Sequence, residues 1–213
     1  MTLSECILFI FELLGTISFS LSGSMVAMRK QTDLFGVVTL GVITATGGGI
    51  FRDVFLGRFP PTAFVNSTYV AVAALVALLM FFFVLRNRNY YLANIDHVDA
   101  INNIFDAFGL GAFTVTGVQI AISAGHGDNL FFAVFLGVVT GTGGGMIRDM
   151  LVGEIPFILT KHIYAVASIV GGLVYCLLHH LNHDAVAAIA TILVVFSLRL
   201  FSSHYHWNLP KAL

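Results

Sequence analysis

One tract, present twice, holds the residues of this chain most able to do chemistry. Thr44, Thr46, Gly47, Gly48, Gly49, Arg52 and Asp53 recur 96 positions later as Thr140, Thr142, Gly143, Gly144, Gly145, Arg148 and Asp149. The enclosing segments, Leu34 to Pro60 and Leu130 to Pro156, are identical at 15 of 27 positions without a gap, an internal duplication. Three successive glycines cost a helix about 1 kcal/mol each relative to alanine. Small residues at four-residue spacing (Gly41, Ala45, Gly49; Gly137, Gly141, Gly145) suit close helix packing. Three consecutive residues cannot all face one neighbour, however, so a kink or unwound turn is expected at each triplet. Carbonyls freed by such a break favour a cation. The threonine hydroxyls beside them either bond back to carbonyls one turn earlier or replace part of an ion's water shell. Ser18, Ser20, Ser22, Thr114 and Thr116 add neutral polar lining.

Charge within apolar segments is costly in lipid and faces the bundle or water. The candidates are Glu12, Arg52, Asp53, Asp106, Arg148 and Asp149. Asp53 and Asp149 fall just after the expected break, where a new helix N-terminus stabilises an anion. Neighbouring helical residues point about 100° apart, which argues against an Arg52–Asp53 contact and for a contact across the pseudo-axis of the duplication. The competing reading is that all six residues form structural ion pairs, or that the arginines snorkel to the interfaces. Four acids against two arginines leave surplus negative charge, which suits a cation path.

Around these residues the chain is written for a membrane. Of 213 residues 58% are apolar and 10% charged, with mean hydropathy +0.93, where a soluble domain carries about 25% charge. Seven spans of membrane length are predicted: Glu5–Met28, Leu34–Phe55, Ala63–Leu85, Ala100–Ser123, Leu130–Val152, His162–Leu181 and Ala185–Phe201. The runs are too long and unbroken for barrel strands. Three spans per repeat, an odd number, require the second copy to be inverted, leaving span seven as an addition. The units are 1–91, 92–182 and 183–213. The N-terminus lacks a basic region and a cleavage site and is expected to be a retained helix. Arg29, Lys30, Arg86, Arg88, Lys161 and Lys211 fall on one side and Arg58 on the other, which puts the N-terminus outside and the C-terminus in the cytoplasm.

Several classes drop out. A net charge of −1 offers no basic surface for nucleic acid. Cys6 and Cys176 sit in apolar segments and form no disulfide or zinc framework. His179, His180 and His183 lack a completing ligand pattern, and His204, Tyr205, His206 and Trp207 form an interface belt. No nucleophile–base pair or nucleotide fingerprint occurs, so neither an enzyme nor a cofactor is expected. No soluble partner is evident.

The doubled TGGGxxRD motif, on the middle span of each three-span repeat with a seventh span behind, resembles the TRIC family of trimeric intracellular cation channels in its prokaryotic branch. The likeness covers essentially the whole chain, from Gly15 through span seven. It implies an all-α membrane protein, a homotrimer in the inner membrane with a pore in each protomer, conducting monovalent cations, chiefly K+ and also Na+. By motif match the constriction falls on Gly47 to Gly49 and Gly143 to Gly145, where K+ binds transiently, with Arg52 and Arg148 near it. The inversion puts Arg52 toward the outside and Arg148 toward the cytoplasm, each expected to be paired at rest with one of Glu12, Asp53, Asp106 and Asp149 and to act as a gate. Animal members carry a lipid-binding lysine motif after the first triplet, where this chain has Ile50, Phe51, Arg52 and Asp53. Some bacterial relatives are labelled glycine transporters, so a glycine uptake carrier is the alternative.

Overall fold

The computed structural model describes residues 3–160, 163–181, 183–205 and 207, with side chains from Leu8 onward. Lys161, His162, His206, Lys211 and the Cys6 side chain lie outside the described residues. Helices α1 (Leu3–Arg29), α2 (Leu34–Phe55), α4 (Thr68–Arg86), α6 (Ile95–Ala121), α7 (Leu130–Leu151) and α10 (Asp184–His204) are long and apolar enough to cross a bilayer. Helix α9 (Ala165–His180) is apolar but has 16 residues, about 24 Å at 1.5 Å per residue. Short helices α3 (Thr62–Val65), α5 (Arg88–Ala93) and α8 (Phe157–Thr160) lie between them.

Capping chemistry explains why the duplicated helices begin and end where they do. Asp33 accepts the Gly36 N–H at 2.8 Å, and Asn129, 96 positions on, accepts the Phe132 N–H at 3.0 Å. Both helices end on a glycine in the left-handed region, Gly57 (φ 67°) and Gly153 (φ 73°), which a residue with a Cβ adopts only under strain. The next N–H returns into the helix at each end: Arg58 donates to the Asp53 carbonyl and Glu154 to that of Asp149.

Four boundaries differ from the sequence expectation. The third span begins at Thr68, because Asn66 interrupts it by accepting the Thr68 N–H through its side chain. The stretch expected as a loop after it is partly helical, as α5. Helix α6 starts at Ile95 and ends in a π-helical turn, Ile122–His126, with Gly125 at φ 88°. The described part of span six begins helically only at Ala165.

Helices α1, α2, α6 and α7 form the centre; α4 packs on α1 and α2, α9 on α6 and α7, and α10 on α6 and α9. Helices α2 and α7 cross antiparallel: Gly48 faces Thr140, Gly144 faces Thr44, and the Phe55 ring meets Phe135 edge-on. Arg52 and Arg148, near the C-terminal ends of these helices, therefore lie toward opposite ends of the bundle. At the Arg148 end, Arg29 pairs with Asp99 at 2.6 Å and Lys30 with Glu154 at 2.8 Å. Lys30 holds the Glu154 carboxyl below its ordinary range, chiefly through that hydrogen bond.

Candidate functional site

The glycine triplets are not broken. Helices α2 and α7 run α-helically through them, correcting the expected unwound turn and, with it, the new N-terminus proposed for Asp53 and Asp149. Each glycine of a triplet meets something different. A methyl group on Gly48 would overlap the Thr140 carbonyl oxygen, and one on Gly144 that of Thr44. One on Gly47 would press on the Ile147 side chain, and one on Gly143 would lie 3.1 Å from the Gly48 Cα. Backbone thus lies on backbone, with glycine CH groups against carbonyls in place of side-chain packing. The third glycines face the arginines: Gly49 looks toward the Arg52 guanidinium, and Gly145 toward Arg148 and the Tyr164 hydroxyl. The threonine hydroxyls bond back, Thr44 to Leu40, Thr46 to Val42, Thr140 to Leu136 and Thr142 to Val138.

The arginines and aspartates form two like units. Arg52 Nε donates to Asp53 Oδ1 at 2.9 Å, and Arg148 Nε to Asp149 Oδ1 at 2.8 Å. These contacts correct the expectation that adjacent residues would not meet. The 100° between their Cα directions is spanned because the long arginine stem curls back while the loop holds the aspartate in place. Asp53 Oδ2 accepts the Thr62 N–H at 2.7 Å and Asp149 Oδ2 the Phe157 N–H at 2.9 Å. Each aspartate therefore takes the first N–H of the short helix that follows, α3 or α8, rather than one inside its own helix.

Beyond this shared core the units diverge. At Arg52, Glu12 lies 3.5 Å from Nη1, and the Tyr69 hydroxyl donates to the other Glu12 oxygen at 2.5 Å. Glu12, Thr16, Thr46, Gly49, Arg52 and Asp53 line a cavity of about 40 Å³, room for a few waters. At Arg148, Nη1 donates to Asp106 Oδ1 at 2.8 Å and to Ser22 Oγ at 2.7 Å, the latter reaching across into the first repeat. The guanidinium also stacks over Phe157, 5.3 Å from the ring centre. Arg148 and Asp106 are wholly buried.

The charge count also needs correction. Arg199, from α10, is 2% exposed; its Nη2 lies 2.9 Å from Asn103 Oδ1 and 3.7 Å from Asp106 Oδ2. Four buried or half-buried acids thus face three arginines. The surplus resides at Arg52, where Glu12 and Asp53 oppose one cation, while Arg148 and Arg199 balance Asp106 and Asp149. Sequence reasoning passed over Arg199, Tyr69, Tyr164 and Asn103. A charged residue within an apolar helix was the available signal for Arg199. Among the described residues no group of three His, Cys, Asp or Glu side chains is arranged to hold a metal. His179 instead pairs with Asp184, and Cys176 is a buried free thiol.

The comparisons with known proteins agree with this duplicated architecture. The glycine transporter family model matches the chain twice, over residues 9–85 and 103–180. The UPF0126 inner membrane protein YadS of Escherichia coli K12 is 35% identical over 201 residues, 93% of each chain. A prokaryotic TRIC channel crystallised in 0.5 M KCl superposes with a TM-score of 0.86 at 36% identity, covering 96% of this chain and 100% of the other. The TRIC trimeric intracellular cation channel orthologue from Rhodobacter sphaeroides gives 0.84 at 32% identity, over 94% and 99%. On both the paired sequence match and the whole-chain structural likeness, the chain belongs to the TRIC family.

Proposed function

We propose that this protein is a passive channel for monovalent cations, K+ foremost and Na+ with it, with one path inside each protomer of a homotrimer. It needs no cofactor and no soluble partner. It sits in the inner membrane with its N-terminus outside and C-terminus in the cytoplasm. Two inverted three-helix repeats, residues 1–91 and 92–182, form the path, and 183–213 adds a seventh span. The likeness to TRIC channel structures supports the activity, and the antiparallel crossing of the duplicated helices supports the inversion.

The single observation carrying the cation reading is the cavity at Arg52. It carries one net negative charge, from Glu12 and Asp53 against Arg52, beside the Thr46 and Gly49 positions. The path continues along the α2–α7 crossing, which is shut here by the contact of Gly48 and Gly144 with the opposite threonine carbonyls. Conduction requires the two helices to part. The Thr44 and Thr140 carbonyls then face a passing K+ instead of a glycine, which gives the triplets their transient ion.

A glycine carrier is the second reading, favoured by the paired family match and by a cavity offering both Arg52 for a carboxylate and Glu12 for an ammonium. The small volume of that cavity counts against it. Purified protein in planar bilayers separates the two. Unitary K+ currents in the absence of glycine are expected; saturable glycine flux without unitary current would replace the channel with the carrier.

A further inference from the structure

Arg199 lies outside the duplication, on α10, yet it completes the buried network of the second repeat. Asp106 sits between two guanidiniums: Oδ1 holds Arg148 at 2.8 Å, while Oδ2 faces Arg199 at 3.7 Å. Arg199 is fixed by Asn103, one turn from Asp106 on α6, and by the Tyr164 ring, whose centre lies 4.6 Å beneath the guanidinium. Tyr164 in turn points its hydroxyl at the Gly145 position, beside Arg148. Without Arg199 the second unit would hold Asp106 and Asp149 against Arg148, the same net charge as Glu12 and Asp53 against Arg52. Arg199 is therefore the charge that makes the two halves differ.

The network is also incompletely satisfied. Asp106 Oδ2, Arg148 Nη2, Tyr164 Oη and Arg199 Nε are buried without a hydrogen-bond partner. A buried polar atom without a protein partner is costly unless water or a shifted neighbour satisfies it. The geometry suits an arrangement held by charge balance rather than by saturated bonding.

We propose that Arg199 is a positioning residue for ion passage: by engaging Asp106 it keeps Arg148 locked across the cytoplasmic half of the path. Removing its charge leaves Asp106 and Asp149 with a single cation and opens space where the guanidinium lay. Water then enters and Arg148 moves. This inference rests on the channel reading above, so its test carries a readout independent of current.

Ser22, wholly buried against Arg148, supplies it. In a Cys6→Ser, Cys176→Ser background, Ser22→Cys is assayed in reconstituted vesicles with a charged, water-soluble thiol reagent, alone and with Arg199→Gln or Arg199→Lys. Assembly is checked by gel filtration. Arg199→Gln is expected to raise the modification rate at least tenfold and to raise open probability in bilayers, with Arg199→Lys close to the parent in both. Should Arg199→Gln fail to assemble, Asp106→Asn with Arg199→Gln, which removes both charges, is expected to give the same tenfold rise. An unchanged rate in an assembled neutral variant overturns the proposal, as does equal loss of assembly in the Gln, Lys and double variants. A tenfold rise with no unitary current in any variant upholds the latch and overturns the channel.

Discussion

At Arg52 the guanidinium shares a small cavity with Glu12, Thr46 and Gly49; at Arg148 the same group is enclosed by Asp106, Ser22, Phe157 and Tyr164 with no surface left. Both start from one Arg–Asp pair capped by a loop N–H. The difference lies in the surroundings. The first half opposes its arginine with an acid that keeps 17% of its side-chain surface; the second buries its acid and adds a cation from α10. A duplicated motif thus fixes a local buried ion pair, and the non-duplicated neighbours decide whether that pair borders a small cavity or is sealed on every side.

Five substitutions break or sharpen this contrast. Asp106→Asn leaves two buried guanidiniums without their shared anion and is expected to cost about 3–5 kcal/mol, the penalty for breaking a buried pair. Thermal unfolding in detergent measures it, and a loss under 1 kcal/mol would mean that this half is wetter than the structure has it. Gly48→Ala and Gly144→Ala each drive a methyl into a carbonyl at the crossing, worth about 1–3 kcal/mol of overpacking. Equal losses at the two positions are expected from the antiparallel symmetry; a loss at one alone would show that the halves differ at the crossing too.

Tyr69→Phe removes one hydrogen bond from Glu12, a loss of about 1 kcal/mol, with K+ conductance changed more than stability because Glu12 lines the cavity. Unaltered conductance in stable protein would remove Glu12 from the path. The smallest effect belongs to the Lys30–Glu154 bridge, both of whose side chains are more than a third exposed. Because the folded carboxyl is depressed, its contribution is present above the ordinary glutamate range and is lost as pH falls below that range through the folded value. Screening by solvent holds it to about 0.5 kcal/mol. Melting curves of wild-type and Glu154→Gln protein are expected to converge on acidification; a gap that widens instead would contradict the assignment.

Much of the fold was legible in the residues. The duplication and the extents of α2 and α7 could be read there, whereas the Asp33 and Asn129 caps and the exits at Gly57 and Gly153 came from the structure, as ordinary helix-end chemistry. The break at Asn66 was passed over because Ala63, Phe64 and Val65 were joined to the apolar run beyond Thr68, across the polar Asn66, Ser67 and Thr68. The glycine triplets were misjudged for a deeper reason: spacing tells which residues share a face, but not that another backbone lies against it. With Thr140 and Thr44 carbonyls there, a helix with three glycines has less to lose by staying helical. Arg199 escaped notice because it has no repeat counterpart, although its place in an apolar helix marked it as expensive. The Arg52–Asp53 contact was missed by treating side chains as vectors from Cα, which suits short residues and fails for a long flexible stem.

Cysteine reactivity at the paired threonines measures the contrast most directly. Thr46 and Thr142 occupy equivalent places in the two repeats, and only Thr46 lines the cavity. A thiol reacts as the thiolate and only where water and reagent reach it. In the Cys6→Ser, Cys176→Ser background, Thr46→Cys is expected to react with a charged water-soluble reagent at least tenfold faster than Thr142→Cys in the assembled protein. Equal rates at the two positions, or the reverse order, would contradict a hydrated cation-facing half opposed to a dry and shut one.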